Sequence, residues 1–287
     1  MKRNSLIQRL NNNWAPPIYD QLPSWILPQR SLKFKAYGVG LFKTGTASLY
    51  ALFIENYRTY HEAEARFLIQ KILAFEEGKI TREQLIQSVK KRDRRLGLEM
   101  DSSSINGHII DILATEFNTA KFILTIRDCY SWLDSIFNHY IFISKRYQKW
   151  SKWQYWRGQH FIHWESFIYQ AHLKHAKPEQ ILADHGLYTL DGYLSYWAKH
   201  TNQVLTAVPS ERLLIIKTLD FNQSISQIED FLEITSGSLP RNTKINVRKA
   251  KDKYNLLSQI DRSFVEEKIN LYCRELMDKF FPEVTWP

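Results

Sequence analysis

The chain has little cysteine and no long apolar run, and both absences narrow its class. Only two cysteines occur in 287 residues, Cys129 and Cys273, far apart in sequence. They draw neither a disulfide framework nor a C-x-x-C metal pair, so free thiols in a reducing cytoplasm are expected. No uninterrupted apolar segment approaches the roughly 20 residues needed to cross a bilayer. Met1 to Asn13 also lacks the apolar centre of a signal peptide. The expectation is a cytoplasmic protein with no membrane partner. Internal repeats and low-complexity tracts are missing as well.

What is present is an ordinary globular balance, 44 % hydrophobic and 24 % charged, in a chain long enough to bury a substantial core. Aromatic content is high, 14 %, which suggests a ring-lined pocket or lid as well as a core. The formal net charge of +9 suits a polyanionic partner. Nothing resembles an RNA-recognition motif, zinc finger or basic zipper, so no nucleic-acid partner is expected. A small ligand with several negative charges would use the basic residues more locally. One basic cluster, Lys90 to Arg95, reads as a solvated face. A second spans Arg241 to Lys253.

Compact apolar runs at 36–42, 121–127 and 212–217, with a short candidate strand at 58–61, alternate with helical patterns. That alternation predicts an α/β fold with a central parallel sheet flanked by helices. Residues 1–30 read as a polar lead-in, and 150–185 as a helical, aromatic-rich lid insertion. Thr81-Arg-Glu-Gln reads as a helix start with a hydroxyl cap. Asp101-Ser-Ser-Ser104 reads as a second cap cluster, before a helix predicted over 105–117.

The most informative stretch is Tyr37 to Leu49, Y-G-V-G-L-F-K-T-G-T-A-S-L. A strand feeding a glycine turn and a helix N-terminus makes an anion site, because free backbone N–H groups and the helix dipole converge there. Gly45 would let the backbone approach the anion, and Thr44, Thr46 and Ser48 would add hydroxyls. It is not a Walker A loop: counted from Gly40, Thr46 stands where that motif needs its lysine. The cation lies earlier, at Lys43.

K-T-G-T-A-S-L resembles the phosphosulfate-binding loop of the sulfotransferases, which use 3′-phosphoadenosine 5′-phosphosulfate (PAPS). It is most similar to bacterial members that have a Tyr-His element after the next helix, here Tyr60-His61-Glu62. The resemblance runs through most of the chain from Lys35 onward. It implies a single P-loop-like domain over 1–287, PAPS as donor with PAP (3′-phosphoadenosine 5′-phosphate) as product, no metal, and a small-molecule acceptor. Lys43, Thr44, Gly45, Thr46, Ala47 and Ser48 would hold the phosphosulfate end.

Arg127-Asp-Cys-Tyr-Ser-Trp-Leu-Asp-Ser135 carries the second likeness, to the motif in which Arg and Ser bind the donor's 3′-phosphate. An arginine at a strand's carboxyl end offers a fixed charge and a fork of donors; the plain alternative is an ion pair with Asp128 or Asp134. By position, Arg248 and Lys249 resemble the late basic loop of the family, although no glycine follows Lys249.

Sulfuryl transfer needs a base for the acceptor's proton and charge stabilisation on the leaving phosphate. Lys43 would serve the second need. His61 or Glu62 would serve the first, and an imidazole requires little tuning near neutral pH. Asp101 and His108 are further candidates for the acceptor pocket, Asp101 equally as a cap. The pairs His160/His163 and His172/His175 have a spacing that can ligate metal, but no third ligand accompanies them, so lid residues are expected. Two rival functions stay in view: a P-loop small-molecule kinase, and a basic nucleotide- or RNA-binding protein.

Overall fold

The computed structural model describes residues 31–147, 152–241 and 254–285. The described elements begin with β1 (Ala36–Gly38), α1 (Thr46–Phe53), β2 (Thr59–His61), α2 (Ala65–Glu76), α3 (Arg82–Leu96) and β3 (Met100–Ser102). Then come α4 (Ile110–Glu116), β4 (Lys121–Ile126), α5 (Cys129–Tyr147), α6 (Lys152–Ile168), α7 (Gln180–Asp184) and α8 (Leu190–Ala207). It closes with β5 (Leu213–Lys217), α9 (Ile225–Leu232), α10 (Arg262–Tyr272) and α11 (Arg274–Phe280). The five strands form one sheet in the order β2-β3-β1-β4-β5. The pairings β2–β3, β3–β1 and β1–β4 are parallel, as expected for strands joined through helices.

The chain divides into two compact units. The first, residues 1–40, 45–125 and 203–246, carries the sheet. Its core packs Leu49, Leu52 and Phe53 of α1 and Ile225, Ile228 and Leu232 of α9 against Ala36, Met100, Ile123, Leu214 and Ile216 of the strands. These apolar side chains sit at helical spacing on the helices, so each helix presents one stripe to the sheet. α3 begins where its cap signal predicts: Thr81 accepts from the Gln84 N–H, and the Gln84 side chain returns the bond to the Thr81 N–H.

Three sequence expectations need correction in this unit. Asp101 is not a helix cap, because Met100-Asp-Ser102 is a strand inside the sheet, flanked by β1 and β2. The helix predicted over 105–117 is a 3₁₀ turn, Asn106–Ile109, followed by α4. The Lys90–Arg95 cluster is only partly a solvated face, since Arg92 is 1 % exposed. Asp101 explains both the hidden strand and the hidden arginine: its Oδ2 accepts from Arg92 Nη1 at 2.7 Å. Burial acts to lower the Arg92 pKa, but Asp101, with Glu64 and Asp93 adding to it, outweighs burial and the guanidinium is held more firmly charged.

The second unit, residues 41–44, 126–202 and 247–287, is helical. Trp132, Phe137, Tyr169, Tyr193 and Trp197 are its large buried rings. The Tyr169 and Tyr193 rings lie 4.5 Å apart, and Tyr140 and Tyr188 pack around them. The high aromatic content therefore builds a core here. Cys129 and Cys273 are buried free thiols, and burial pushes the Cys129 thiol up, with Cys273 adding to the effect.

Burial against this tyrosine cluster pushes the Glu165 carboxyl up to about 7, with a hydrogen bond from Tyr140 pulling the other way. Between its ordinary value of 4.5 and about 7 the folded protein holds a proton that the unfolded chain has lost. Stability from this group is therefore full below the ordinary value and falls as pH rises towards neutrality. Melting temperatures of the parent and Glu165→Gln, measured from pH 4.5 to 8, should diverge in slope: the parent loses stability over that range and the variant loses less. Parallel curves would refute the assignment.

Candidate active site

Within the second unit the front of the glycine turn is anchored to α5. The Trp132 indole donates to the Phe42 carbonyl at 2.9 Å, and the Phe42 and His139 rings meet at 4.6 Å. Lys43 follows with a left-handed backbone, φ 71, and a half-buried side chain. Left-handed geometry at a non-glycine residue costs roughly 1–2 kcal/mol, so neighbouring structure has to hold it. Thr44 helps: its N–H and hydroxyl both donate to the Leu41 carbonyl, at 3.1 and 2.7 Å. The expected Thr44 hydroxyl donor to an anion is thus spent inside the turn.

Arg127 follows the end of β4, with its carbonyl fixed by the Trp197 indole at 3.1 Å. Its Nε donates to Ser131 Oγ at 2.9 Å. The alternative of an ion pair with a neighbouring aspartate is not what forms. Asp128 turns to the Ser131 N–H and hydroxyl, and Asp134 accepts from Asn138. Among the described residues the two outer nitrogens of Arg127 have no acceptor. Desolvation lowers the Arg127 pKa while Asp128 and Asp134 raise it in part. A largely desolvated cationic fork without a carboxylate partner is a place for an anionic ligand. Ser135 lies one turn beyond Ser131 on α5, half-buried.

In the first unit the turn continues through Gly45, φ 113, into α1. A side chain at that φ would be strained, so the glycine is a backbone requirement here. Gly45 is the N-cap of α1, and no side chain caps the helix. Helix geometry leaves the N–H groups of Gly45, Thr46 and Ala47 without acceptors inside the helix. They, with the positive end of the helix dipole, make the anion cradle. Ala47 is exposed, while Thr46 and Ser48 are buried at 4 % and 7 %.

The end of β2 meets this cradle. In the parallel register His61 stands opposite Ser102, whose hydroxyl donates to the Thr46 carbonyl at 2.8 Å. His61 Nε2 lies 3.2 Å from Thr46 Oγ1. An imidazole is thereby held at the N-terminus of the helix that the glycine turn opens.

The next residues form a strained turn, with Glu62 at φ 55 and Glu64 at φ 49. The Glu62 carboxylate accepts three bonds: Ser103 Oγ at 2.5 Å, Ser104 N at 2.9 Å and Ser104 Oγ at 2.8 Å. It stands 3.9 Å from His61 Nε2. Asp101, 1 % exposed, faces Arg92 rather than a cleft. His108, half-buried, lies in the 3₁₀ turn after β3. Arg248 and Lys249 lie outside the described residues. Among the described residues no group of three or more His, Cys, Asp or Glu is placed to hold a metal, and no helix is long and apolar enough to cross a membrane.

Sequence reasoning read Ser103 and Ser104 as part of a cap cluster and Arg92 and Arg95 as part of a solvated face, and missed that they fix this turn. The i, i+3 spacing of the two arginines was visible, but nothing in it separates a buried clamp from a charged surface.

A family model described as a sulfotransferase domain matches residues 35–244, well over half of the chain. Among solved structures, the chain is similar to a sulfotransferase from Alicyclobacillus acidocaldarius. The two are 14 % identical with a TM-score of 0.45, over 83 % of this chain and 93 % of that one. No curated protein matches.

Proposed function

The chain belongs to the sulfotransferase domain family, and on that footing we propose that it transfers a sulfuryl group from PAPS to a hydroxyl or amine of a small molecule. The whole chain acts in this reading as one sulfotransferase domain in the cytoplasm, with the 150–185 segment as lid. The observation that carries it is the 3.2 Å approach of His61 Nε2 to Thr46 Oγ1, which sets an imidazole against the anion cradle. Supporting it is the Arg127 fork, desolvated and without a carboxylate partner among the described residues.

The roles follow from charge. Lys43 neutralises the bridging oxygen as the S–O bond breaks, while the N–H groups of Gly45, Thr46 and Ala47 cradle the 5′ end of the donor. Arg127 and Ser135 take the 3′-phosphate. His61, with its proton on Nδ1, exchanges the Thr46 hydroxyl at Nε2 for the attacking hydroxyl or amine and accepts its proton. Glu62, whose carboxylate accepts from Ser103 and Ser104, is assigned the task of holding the turn rather than taking the proton.

Calorimetry with PAP, AMP and ATP–Mg²⁺ tests the donor site. PAP should bind more tightly than AMP by about 1.5–3 kcal/mol for each charge-assisted hydrogen bond to the 3′-phosphate. Arg127→Ala should erase most of that difference. Equal affinities for PAP and AMP would remove Arg127 from the site, and a preference for ATP–Mg²⁺ would favour the kinase reading.

A further inference from the structure

The turn that follows His61 is gripped at each of its three residues. The Glu62 carboxylate is held by Ser103 and Ser104, as described. The Ala63 carbonyl accepts from Arg92 twice, from Nη2 at 2.6 Å and from Nε at 3.3 Å. The Glu64 carboxylate, wholly buried, takes the Arg95 guanidinium in a two-pronged pair, one arm at 2.6 Å. Arg92 and Arg95 stand three residues apart on α3, so they point from the same face of one helix. Gly97 caps the end of α3, and β3 pairs with β2 directly afterwards. The chain thus folds back so that α3 clamps the turn in which β2 ends.

Such a clamp is expensive to bury. Arg92 is 1 % exposed and must be neutralised by Asp101, itself 1 % exposed and opposite Tyr60 in the β2–β3 register. A fold that needed only to end a strand could do so with an ordinary turn. Here Glu62 and Glu64 occupy left-handed backbone on either side of Ala63. Conformations of that kind persist only where the surroundings over-determine them. What the clamp fixes is the direction in which β2 leaves the sheet, and His61 is the last residue of β2.

We infer that Arg92 and Arg95 are positioning residues for His61: through the Ala63 carbonyl and the Glu64 carboxylate they hold its imidazole at the cradle. The inference rests on His61 being the base of the proposed transfer. Neither arginine touches substrate in this scheme. Lysine at 92 keeps the charge for Asp101 but cannot reproduce the fork on Ala63.

The test is a double-mutant cycle in single-turnover transfer from labelled PAPS. Arg92→Lys should lower kcat about 10- to 100-fold with the KM for PAPS little changed, the loss expected when a catalytic group drifts by about an ångström. In a His61→Ala background the same change should cost almost nothing more, because there is no imidazole left to misplace. Glu64→Gln, which loosens Arg95 without emptying the interior, should show the same dependence on His61 and carries the test if Arg92→Lys does not fold. Equal losses in both backgrounds, or no loss in either, overturn the positioning role and leave the base assignment standing. A His61→Ala enzyme with its normal rate overturns the base assignment, and this inference with it.

Discussion

Replacing His61 with alanine is expected to lower the transfer rate about 10²- to 10⁴-fold, the usual worth of a positioned general base. PAP affinity should change little. His61 meets the cradle through one contact, to the Thr46 hydroxyl, while the N–H groups that hold the anion belong to the backbone of α1. Glu62→Gln provides the contrast. Its amide oxygen can still accept from the Ser104 N–H and hydroxyl, and its amide nitrogen can donate to the Ser103 hydroxyl, so the turn should survive and the rate should fall far less. The reverse ranking would make Glu62 the base. Near-normal rates in both variants would place the acceptor pocket elsewhere, with His108 the next group to examine.

Lys43→Ala is expected to abolish most transfer, with a loss on the order of 10²–10³ in kcat, comparable to deleting one transition-state donor. The protein should remain folded. Alanine at φ 71 is no more strained than lysine, and the turn is held by Trp132 on Phe42 and by Thr44 on Leu41. In the proposed mechanism Lys43 acts on charge that develops as the S–O bond breaks, so its removal should reduce kcat more than PAPS binding. A single-turnover rate equal to that of the parent protein would remove Lys43 from the mechanism.

Much of this site could be read before any coordinates. A lysine, a glycine and hydroxyl residues at a strand–helix junction point to an anion, because backbone N–H groups and a dipole are always available there. Arg127 after a compact apolar run could be placed at a strand's carboxyl end for the same kind of reason. The roles of individual hydroxyls were less legible. Thr44 looks equivalent to Thr46 in sequence, yet one closes the turn on Leu41 and the other meets His61. That difference depends on which way each side chain leaves a turn with two left-handed residues.

The alternation of strands and helices, the glycine turn before α1 and the cap of α3 were legible along the chain, since each is set by neighbours within a few residues. That Met100-Asp-Ser102 is a strand within the sheet, and that Arg92 and Arg95 clamp a turn, follows from contacts made in three dimensions. A three-residue strand carrying an aspartate and a serine has almost no local preference for extended structure. It is stable there because Arg92, nine positions earlier, neutralises Asp101, while β1 and β2 take its backbone bonds. A charge that looks solvated in the sequence becomes buried only when its partner is brought to it, and that meeting is a property of the fold.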